Sequence, residues 1–507
     1  MICRSLPASK CCSRIVAVVM AMLLIAGCAS GTEQDRIYDE AVQQSPHSSP
    51  DADDAGTGTG SQNDADGEED EPVKTLKILS YMYEDYGGGI RTELQFLADR
   101  FMFVRPDVRI EFEGLDFTND IAQLTALTTR LLADPPDIFD TYGFIFEKTK
   151  SDTLFFDMNE FLDGPDGIDR GDYFDSILRG AETDGGLFHV PLMVLERSVM
   201  LNKRYFDAIG VPVSDIKTLS LTQFLGYQQA ASLLFPGDEI GLTHSFNLMD
   251  IFRFGLVYDL ETGGVNVDTP EMRAYFETVN SIRAGTYVTY TPEEPFWGGD
   301  SLSGAVPPSF TRPERNYMYH ADSALFAPFA YFTQEHPDML FSRPVLMVTN
   351  TGEAAFGSSS SPAIMRESPN KELAWEFIRF CMEFTDNLYF PDSPVYYSYF
   401  CFPVNRARFD NQVRTVLDWS FDNMILTEML FRSGDAEADA AAKEAAVDDA
   451  LSRLREMADL LNKEHIYDSA VMLSLIYPDV YLYATGAQDV GRTLASIQSR
   501  LELYVAE

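Results

Sequence analysis

The sequence predicts an α/β protein with more than one domain. Its 507 residues are too many for one ordinary hydrophobic core. The composition, 45% hydrophobic and 23% charged, is typical of a soluble globular protein. From about Val73 onward, stretches with two-residue periodicity alternate with stretches of helical periodicity. Strands that alternate with helices favour a largely parallel sheet covered by helices.

The predicted elements follow one another in this alternating order. Strands are predicted at 76–79, 108–112 and 137–140, and helices at 94–104 and 121–132. Further along, Ser368 is expected to cap a helix whose first position is Pro369. After about Asp410 the chain is predicted to be mainly helical, and the charges of 436–463 are expected to lie on a solvated helix face.

The first 27 residues are predicted to be a signal peptide. Basic residues precede the apolar run Ile15–Ala26, which is shorter than the roughly 20 residues needed to span a bilayer. The segment Ile25–Cys28 resembles the lipobox of bacterial lipoproteins, in which cleavage leaves a lipid-carrying cysteine at the new N-terminus. We therefore expect cleavage before Cys28 and attachment to the outer face of the bacterial cytoplasmic membrane through that lipid alone. An ordinary cleavage site beside a chance cysteine is the alternative.

Residues 28–72 are expected to form a disordered acidic tether behind the lipidated cysteine. They contain almost no large apolar side chains and end in the acidic run Glu68–Glu71. A calcium site is the alternative, but the acidic residues lack the spacing of an EF-hand loop. The formal net charge of the whole chain, -41, argues against nucleic acid as a partner.

Two cysteines remain once the signal peptide and Cys28 are set aside. Cys381 and Cys401 both lie among apolar residues, so a disulfide and a pair of buried thiols are both compatible with the sequence. Neither belongs to a metal-binding pattern, and we expect no metal and no cofactor.

The sequence offers little support for an enzyme. It contains no Walker loop, dinucleotide-binding glycine pattern, nucleophile elbow or His-Glu-x-x-His helix. The serines of 358–361 have no recognisable base partner, and His189, His244, His320 and His336 occur singly, as structural or surface histidines do. A glycosidase stays open as an alternative, because it needs only two carboxyl groups about 5–10 Å apart and the chain has 79 acidic residues.

Several segments carry motifs that share an order and a spacing. They are Asp134–Ile138, Gly186–Pro191, Leu201–Val211, Ser368–Phe377, Phe402–Asn405 and Ala484–Tyr504. Together they resemble the extracellular solute-binding proteins of family 1, the carbohydrate receptors of ABC importers. The chain departs from the family pattern at Tyr83, where many members carry Trp, and at Leu201, where the motif has Tyr.

The resemblance implies two α/β lobes of the type II periplasmic-binding-protein fold, joined by a hinge of two or three crossings. The N-terminal lobe would comprise 73–192 and 348–400, and the C-terminal lobe would comprise 193–347 and 401–507. A carbohydrate would bind in the cleft between the lobes and favour closure by contacting both. The transmembrane subunits of an ABC permease would bind the closed form. The protein is expected to act as a monomer.

Ligand-binding residues are expected just after strands, because the ligands of such sheets bind at the carboxyl ends of the strands. Aromatic rings pack on the C–H faces of sugars, and planar polar groups bind the hydroxyls. The candidates after strands or after the crossing are Tyr83, Glu84, Asp116, Tyr142 and Glu196, with Asp85, Asp140 and Arg197 beside them. The candidates in loops are Trp297, Phe329 and Phe356, with Ser358 nearby. A loop or core position without ligand contact is the alternative for each.

These features predict a lipid-anchored receptor that delivers a carbohydrate, specifically an oligosaccharide, to an ABC importer. Two alternatives stay open. One is a surface enzyme that acts on glycosides, and the other is a protein that senses or adheres to sugars without feeding a transporter.

Overall fold

The structure, a computed structural model, describes only part of the chain. The described residues are 73–81, 93–115, 121–141, 148–183, 185–196, 198–235, 258–259, 264–280, 318–321, 341–349, 351–385, 401–423, 435–464, 475–476, 478–480, 482–483 and 486–506. The predicted signal peptide, Cys28 and the acidic tether lie outside these ranges and stay predictions. Within the ranges, no helix combines the length and apolar character that a membrane span requires.

A four-stranded sheet forms the first part of the fold. Its strands in spatial order are β2 (Val108–Leu115), β1 (Lys74–Tyr81), β3 (Ile138–Asp140) and β12 (Pro362–Ile364). β1 runs parallel to β2 and to β3, whereas β12 runs antiparallel to β3 and comes from much later in the chain. The parallel strands and their intervening helices confirm the predicted α/β class.

Helices cover both faces of this first sheet. They are α1 (Glu93–Val104), α2 (Ile121–Ala133), α3 (Lys148–Leu154), α4 (Asn159–Leu162), α5 (Asp175–Gly180) and α9 (Lys371–Glu383). Leu76 and Ile78 pack on one face with α1 and α9, and Leu79 packs on the other face with α2. This alternation follows from the two-residue period of a strand. The rings of Phe101 and Phe377, 5.4 Å apart, join α1 to α9.

A second sheet continues from the first part. Its strands are β13 (Phe402–Pro403), β4 (Met193–Glu196), β11 (Ala354–Ser360), β10 (Phe341–Val348), β5 (Ser198–Asn202) and β9 (Met318–Ala321), with β14 (Leu461–Glu464) beside β11 and β6 (Thr218–Ser220) beside β10. β11 runs directly into β12, so one stretch of chain joins the two sheets.

Two large clusters of buried apolar side chains lie against these sheets. The first core contains residues of β1, β2, α1, α5 and α9, and the second core contains residues of β5 and of the helices α6 (Lys203–Ala208), α7 (Leu221–Leu234), α8 (Pro270–Asn280) and α12 (Val490–Ala506). Alternate residues of β10 enter both: Leu346 and Val348 belong to the first core, Val345 and Met347 to the second. A short pair, β7 (Tyr258–Asp259) and β8 (Gly264–Val265), completes the second part.

The helical C-terminal region divides between the two cores. The helices α10 (Arg406–Asn423) and α11 (Ala436–Leu460) place Phe409, Val413, Val447 and Leu451 in the first core, whereas α12 packs in the second. The expected C-terminal lobe of 193–347 plus 401–507 therefore does not match the packing, because residues up to Leu461 share the core of the first sheet.

Two predicted helix ends are also corrected. The helix predicted over 436–463 ends at Leu460, because the next four residues form β14 and pair with β11. α9 begins at Lys371 and not at Pro369. The hydroxyl of Ser368 accepts a hydrogen bond from the backbone N–H of Asn370 but donates its own proton to Asp137.

Neither Cys381 nor Cys401 is in a disulfide. Cys381 is buried in the first core, and Cys401 is half-buried. Burial raises the pKa of the Cys381 thiol well above its usual value, so this thiol is held in its protonated, unreactive form.

Candidate functional site

The carboxyl ends of three strands meet at one edge of the first sheet. Tyr81, the last residue of β1, is in register with Leu115, the last residue of β2, and the register of β1 with β3 places Asp140 at the same edge. The residues that follow these strands lie outside the described ranges. The strands that precede them end side by side, but the ligand contacts of these residues stay predictions: Tyr83, Glu84, Asp116 and Tyr142.

A buried polar cluster lies at this edge. The carboxylate of Asp140 accepts hydrogen bonds from the backbone N–H of Ser361 at 2.9 Å and from the hydroxyl of Ser80 at 3.2 Å. The hydroxyl of Thr141 donates to the carbonyl of Ser361 at 3.0 Å. Asp140 is 3% exposed, so it joins the ends of β1 and β3 to the junction of β11 with β12 and does not present a free surface. The interpretation of Asp140 as a ligand-facing residue is corrected accordingly.

The chain passes between the two cores at the second sheet. Within the described part of the chain, the sequence passes from one core to the other at three places, and at the second of them alternate residues of β10 enter both cores. The three connections are 195–198, between β4 and β5, 345–353, from the residues of β10 that enter both cores to the start of β11, and 462–474, which begins within β14. β4, β11 and β14 are neighbours in the sheet, so elements that flank all three connections lie side by side.

One residue of each of these strands forms a row across the sheet. Phe356 of β11 is in register with Glu196 of β4 on one side and with Glu464 of β14 on the other. We call these three residues the connection row. The three side chains are 0–3% exposed, so two carboxyl groups flank an aromatic ring in the interior.

Glu464 binds two further residues near the connections. Its Oε2 lies 2.6 Å from Nε2 of His189, and its Oε1 accepts a hydrogen bond from the hydroxyl of Ser358. Burial acts to lower the pKa of His189, but the charge of Glu464 and its hydrogen bond act in the opposite direction and leave that pKa above its usual value. The imidazole is therefore favoured in its charged form, as a buried ion pair with Glu464.

This arrangement is not that of a serine nucleophile. In a serine hydrolase the imidazole accepts the proton of the hydroxyl, and a carboxylate holds the far side of the ring. Here the carboxylate of Glu464 lies between the two groups, and Ser358 donates to it and not to His189. Ser358 therefore has no imidazole partner in this cluster, and its proton is directed to the carboxylate of Glu464.

The predicted ligand residues fall into two groups. Glu196 and Phe356 are brought together in the connection row. The ring of Phe356 belongs to the first core and lies against Gly180 at the end of α5, and a contact of Phe356 with ligand stays a prediction. Outside the described residues lie Cys28, Tyr83, Glu84, Asp85, Asp116, Tyr142, Arg197, Trp297 and Phe329.

The contact between His189 and Glu464 could not be predicted from the sequence. The sequence favours a lone structural or surface histidine at His189, and Glu464 follows a segment predicted to be helix. The two residues are 275 positions apart, so no local pattern could pair them. The only signal available was the position of His189 inside Gly186–Pro191, the motif that resembles a family crossing segment.

Two motifs from the family resemblance contact each other away from the connection row. Asp137, from Asp134–Ile138, accepts hydrogen bonds from Ser368 at 2.6 Å and from the amide of Asn370 at 3.1 Å. Its second oxygen accepts from the backbone N–H of Lys77 at 2.8 Å. These residues join β1, β3 and the start of α9, so the motifs stabilise the first sheet and do not form a ligand site.

Other site types find little support in the described residues. Among them, no group of three or more His, Cys, Asp or Glu side chains could hold a metal ion. A shallow depression of about 450 Å³ lies at the start of α12, between Glu277, Tyr483 and residues 486–490. It is formed by a helix start whose N–H groups are already capped by Asp489, and it is separate from the connection row.

Known proteins similar to this chain are found only at the level of solved structures. No protein-family model matches the chain, and a search of curated proteins finds no relative. Among solved structures, the sugar-binding protein MalE of Xanthomonas citri matches with 14% identity and a TM-score of 0.49, over 85% of this chain and 98% of that one. An extracellular solute-binding protein of family 1 from Alicyclobacillus acidocaldarius matches with 13% identity and a TM-score of 0.45, over 86% and 100%.

A third solved structure is similar to the chain at the same low identity. The cyclic alpha-maltosyl-1,6-maltose binding protein of Arthrobacter globiformis is 14% identical, with a TM-score of 0.45, over 85% of this chain and 98% of that one. At such identities and scores, no ligand and no site residue is carried over from these proteins. The chain thus resembles the extracellular solute-binding proteins of family 1 in its sequence motifs, and the solved structures it matches include proteins of that class.

Proposed function

We propose that this protein is an exported, lipid-anchored receptor that captures a carbohydrate and delivers it to an ABC importer. The observation that carries the proposal is the ordered set of motifs from Asp134 to Tyr504, behind a lipobox at Cys28. The arrangement of the fold is compatible with it, because two cores joined at three connections are what a two-lobed receptor needs. The ligand would bind between the lobes, and contacts to both would favour closure.

We further propose an oligosaccharide as the ligand and no catalytic role. The predicted binding residues include the aromatic side chains Tyr83, Tyr142, Trp297 and Phe329, which suit the C–H faces of sugar rings. The His189–Glu464–Ser358 cluster lacks the geometry of a nucleophile and base. A permease would be the partner in transport, and the lipid at Cys28 would keep the receptor near it by raising its local concentration.

A thermal-shift screen tests the choice of ligand. The full-length protein, extracted in detergent, would be heated with maltotriose, cellotriose, xylotriose and raffinose, and separately with a tripeptide and with spermidine. A ligand present at 100 times its dissociation constant stabilises the folded state by about 2.7 kcal/mol. We expect at least one saccharide to raise the melting temperature. A shift with the tripeptide or with spermidine, and with no saccharide, would show that the substrate class is wrong.

A further inference from the structure

Glu464 joins three separate parts of the chain. It lies on β14, its Oε2 pairs with His189 just before β4, and its Oε1 accepts from Ser358 on β11. The carboxylate is 3% exposed. A buried charge held in this way loses its solvation and depends on its partners, so a change at any one of them affects all three.

β14 is fitted closely against its neighbours. It pairs in parallel with β11, and the side chain of Asn462 accepts a hydrogen bond from the backbone N–H of Ala354 at 2.9 Å. On its other side, Gly180 at the end of α5 approaches Asn462 so closely that a Cβ at position 180 would lie 2.7 Å from a backbone atom. β14 is thus held between α5 and β11.

β14 lies next to the places where the chain passes between the two cores. β4, β11 and β14 adjoin the three connections between the two cores, and Glu196, Phe356 and Glu464 form the connection row there. A movement of one core relative to the other has to bend the chain near this row. Any interaction that joins these strands therefore restricts how the connections can bend.

We propose that β14 is a strap across the connections and that Glu464 is the positioning residue that holds it in place. This inference rests on the proposed receptor function, because the strap would act on ligand affinity. With Glu464 in place, the connections sample fewer arrangements, and a larger fraction of the protein molecules is in the arrangement that binds ligand. If this fraction decreases, the apparent affinity for ligand decreases in proportion.

The test uses the full-length protein with Glu464→Ala and Glu464→Gln. Glu464→Ala is expected to accelerate amide hydrogen exchange in 354–358 and 461–464 at least tenfold, with β1 and α7 unchanged. It is also expected to weaken binding of the best saccharide from the thermal-shift screen by about tenfold, through a smaller competent fraction. Glu464→Gln should show a smaller acceleration of exchange and a smaller loss of affinity than Glu464→Ala, because its amide oxygen still accepts from Ser358.

A matched control is available in the second core. Asp479 is also a buried carboxylate, 2% exposed, and it accepts hydrogen bonds from Ser496 and Gln488. Asp479→Ala should lower the melting temperature comparably but leave exchange in 354–358 and 461–464 as in the wild type. If Glu464→Ala does not fold, Ser358→Ala removes one of the two interactions of the Glu464 carboxylate. It should accelerate exchange in the same segments and weaken saccharide binding, both by less than Glu464→Ala.

The two proposals fail in different ways. Exchange in β11 and β14 that rises no more in Glu464→Ala than in Asp479→Ala would overturn the strap, and so would an unchanged dissociation constant. If the wild-type protein binds no saccharide of the panel, the sugar-receptor proposal fails, whereas the exchange measurement still decides whether Glu464 holds β14 across the connections.

Discussion

At the scale of single residues, the fold uses several acidic side chains as internal hydrogen-bond acceptors. Asp137, Asp140, Glu464 and Asp479 are 2–6% exposed, and each accepts hydrogen bonds from side chains or backbone groups distant in sequence. A buried carboxylate is stable only with such partners. In a chain with 79 acidic residues, the sequence alone does not distinguish these from the solvated majority.

Asp137 gives the simplest prediction at this scale. Asp137→Ala removes the acceptor for Ser368, for one hydrogen bond of Asn370 and for the backbone N–H of Lys77, and it leaves the buried hydroxyl of Ser368 without this acceptor. We expect a loss of about 3 kcal/mol in the free energy of unfolding, measured by urea denaturation. Asp134→Ala, at a nearby exposed position, should change it by less than about 0.5 kcal/mol. Equal effects of the two substitutions would contradict this account of Asp137.

The ion pair of His189 predicts a pH dependence of stability. Because the folded-state pKa of His189 is raised, the pair contributes fully below the unfolded-state pKa of about 6.5 and its contribution is lost as pH rises through the folded-state value. The difference in unfolding free energy between wild type and His189→Gln should therefore be larger at about pH 6 than at about pH 8.5. A difference that grows with pH would show that His189 is neutral in the folded protein.

At the scale of elements, the decisive segment is β14. The composition of 436–463 predicts a helix, and α11 indeed extends from Ala436 to Leu460. The last part of that prediction is wrong because Leu461–Glu464 gains backbone hydrogen bonds with β11, a partner more than 100 positions earlier in the chain. Propensity describes local preference, and tertiary pairing overrides it here.

The close approach of α5 to β14 makes a prediction about Gly180. A Cβ at this position would lie 2.7 Å and 2.8 Å from backbone atoms of Asn462 and 2.9 Å from the ring of Phe356. Gly180→Ala should therefore cost about 1–3 kcal/mol of unfolding free energy and accelerate exchange in β14. Gly226→Ala, within α7, meets nothing within 4 Å and should stabilise by about 0.5–1 kcal/mol. If both alanines stabilise, β14 is not packed against α5 in solution.

The parts of the fold that could be predicted from sequence are those with local signals. The alternation in Leu76, Ile78 and Leu79 and the helical spacing that follows it predict β1 and α1, and through them the parallel sheet. Long-range features carry no such signal. The pairing of β14 with β11, the placement of α10 and α11 on the first core, and the ion pair of His189 with Glu464 all join residues distant in sequence.

At the scale of the whole molecule, two cores are joined by three connections, and an anchor is predicted at Cys28. The buried residues of 402–413 and 446–461 pack in the first core, which differs from the lobe boundaries expected from the family resemblance. The candidate ligand residues after β1, β2 and β3 stay predictions. Their strands end together at one edge of the sheet, where the ligands of such sheets bind.

The predicted anchor is tested by removing its attachment point. Cys28→Ala takes away the thiol that the lipobox resemblance assigns to the lipid, so the protein should leave the membrane fraction of a bacterial host. Immunoblots of membrane and soluble fractions measure the change, with Cys401→Ala as a cysteine substitution that should leave the protein membrane-bound. Retention of the Cys28→Ala protein in membranes would contradict the lipoprotein assignment.

Equilibrium dialysis measures whether the protein captures an intact saccharide. The full-length protein would be dialysed against the saccharide that gives the largest thermal shift, and the bound sugar would then be released and analysed by chromatography. We expect saturable binding of one molecule per chain and recovery of the sugar unchanged after prolonged incubation. Recovery of cleaved products would establish a glycoside-active enzyme, and the absence of saturable binding by any saccharide would contradict the receptor function.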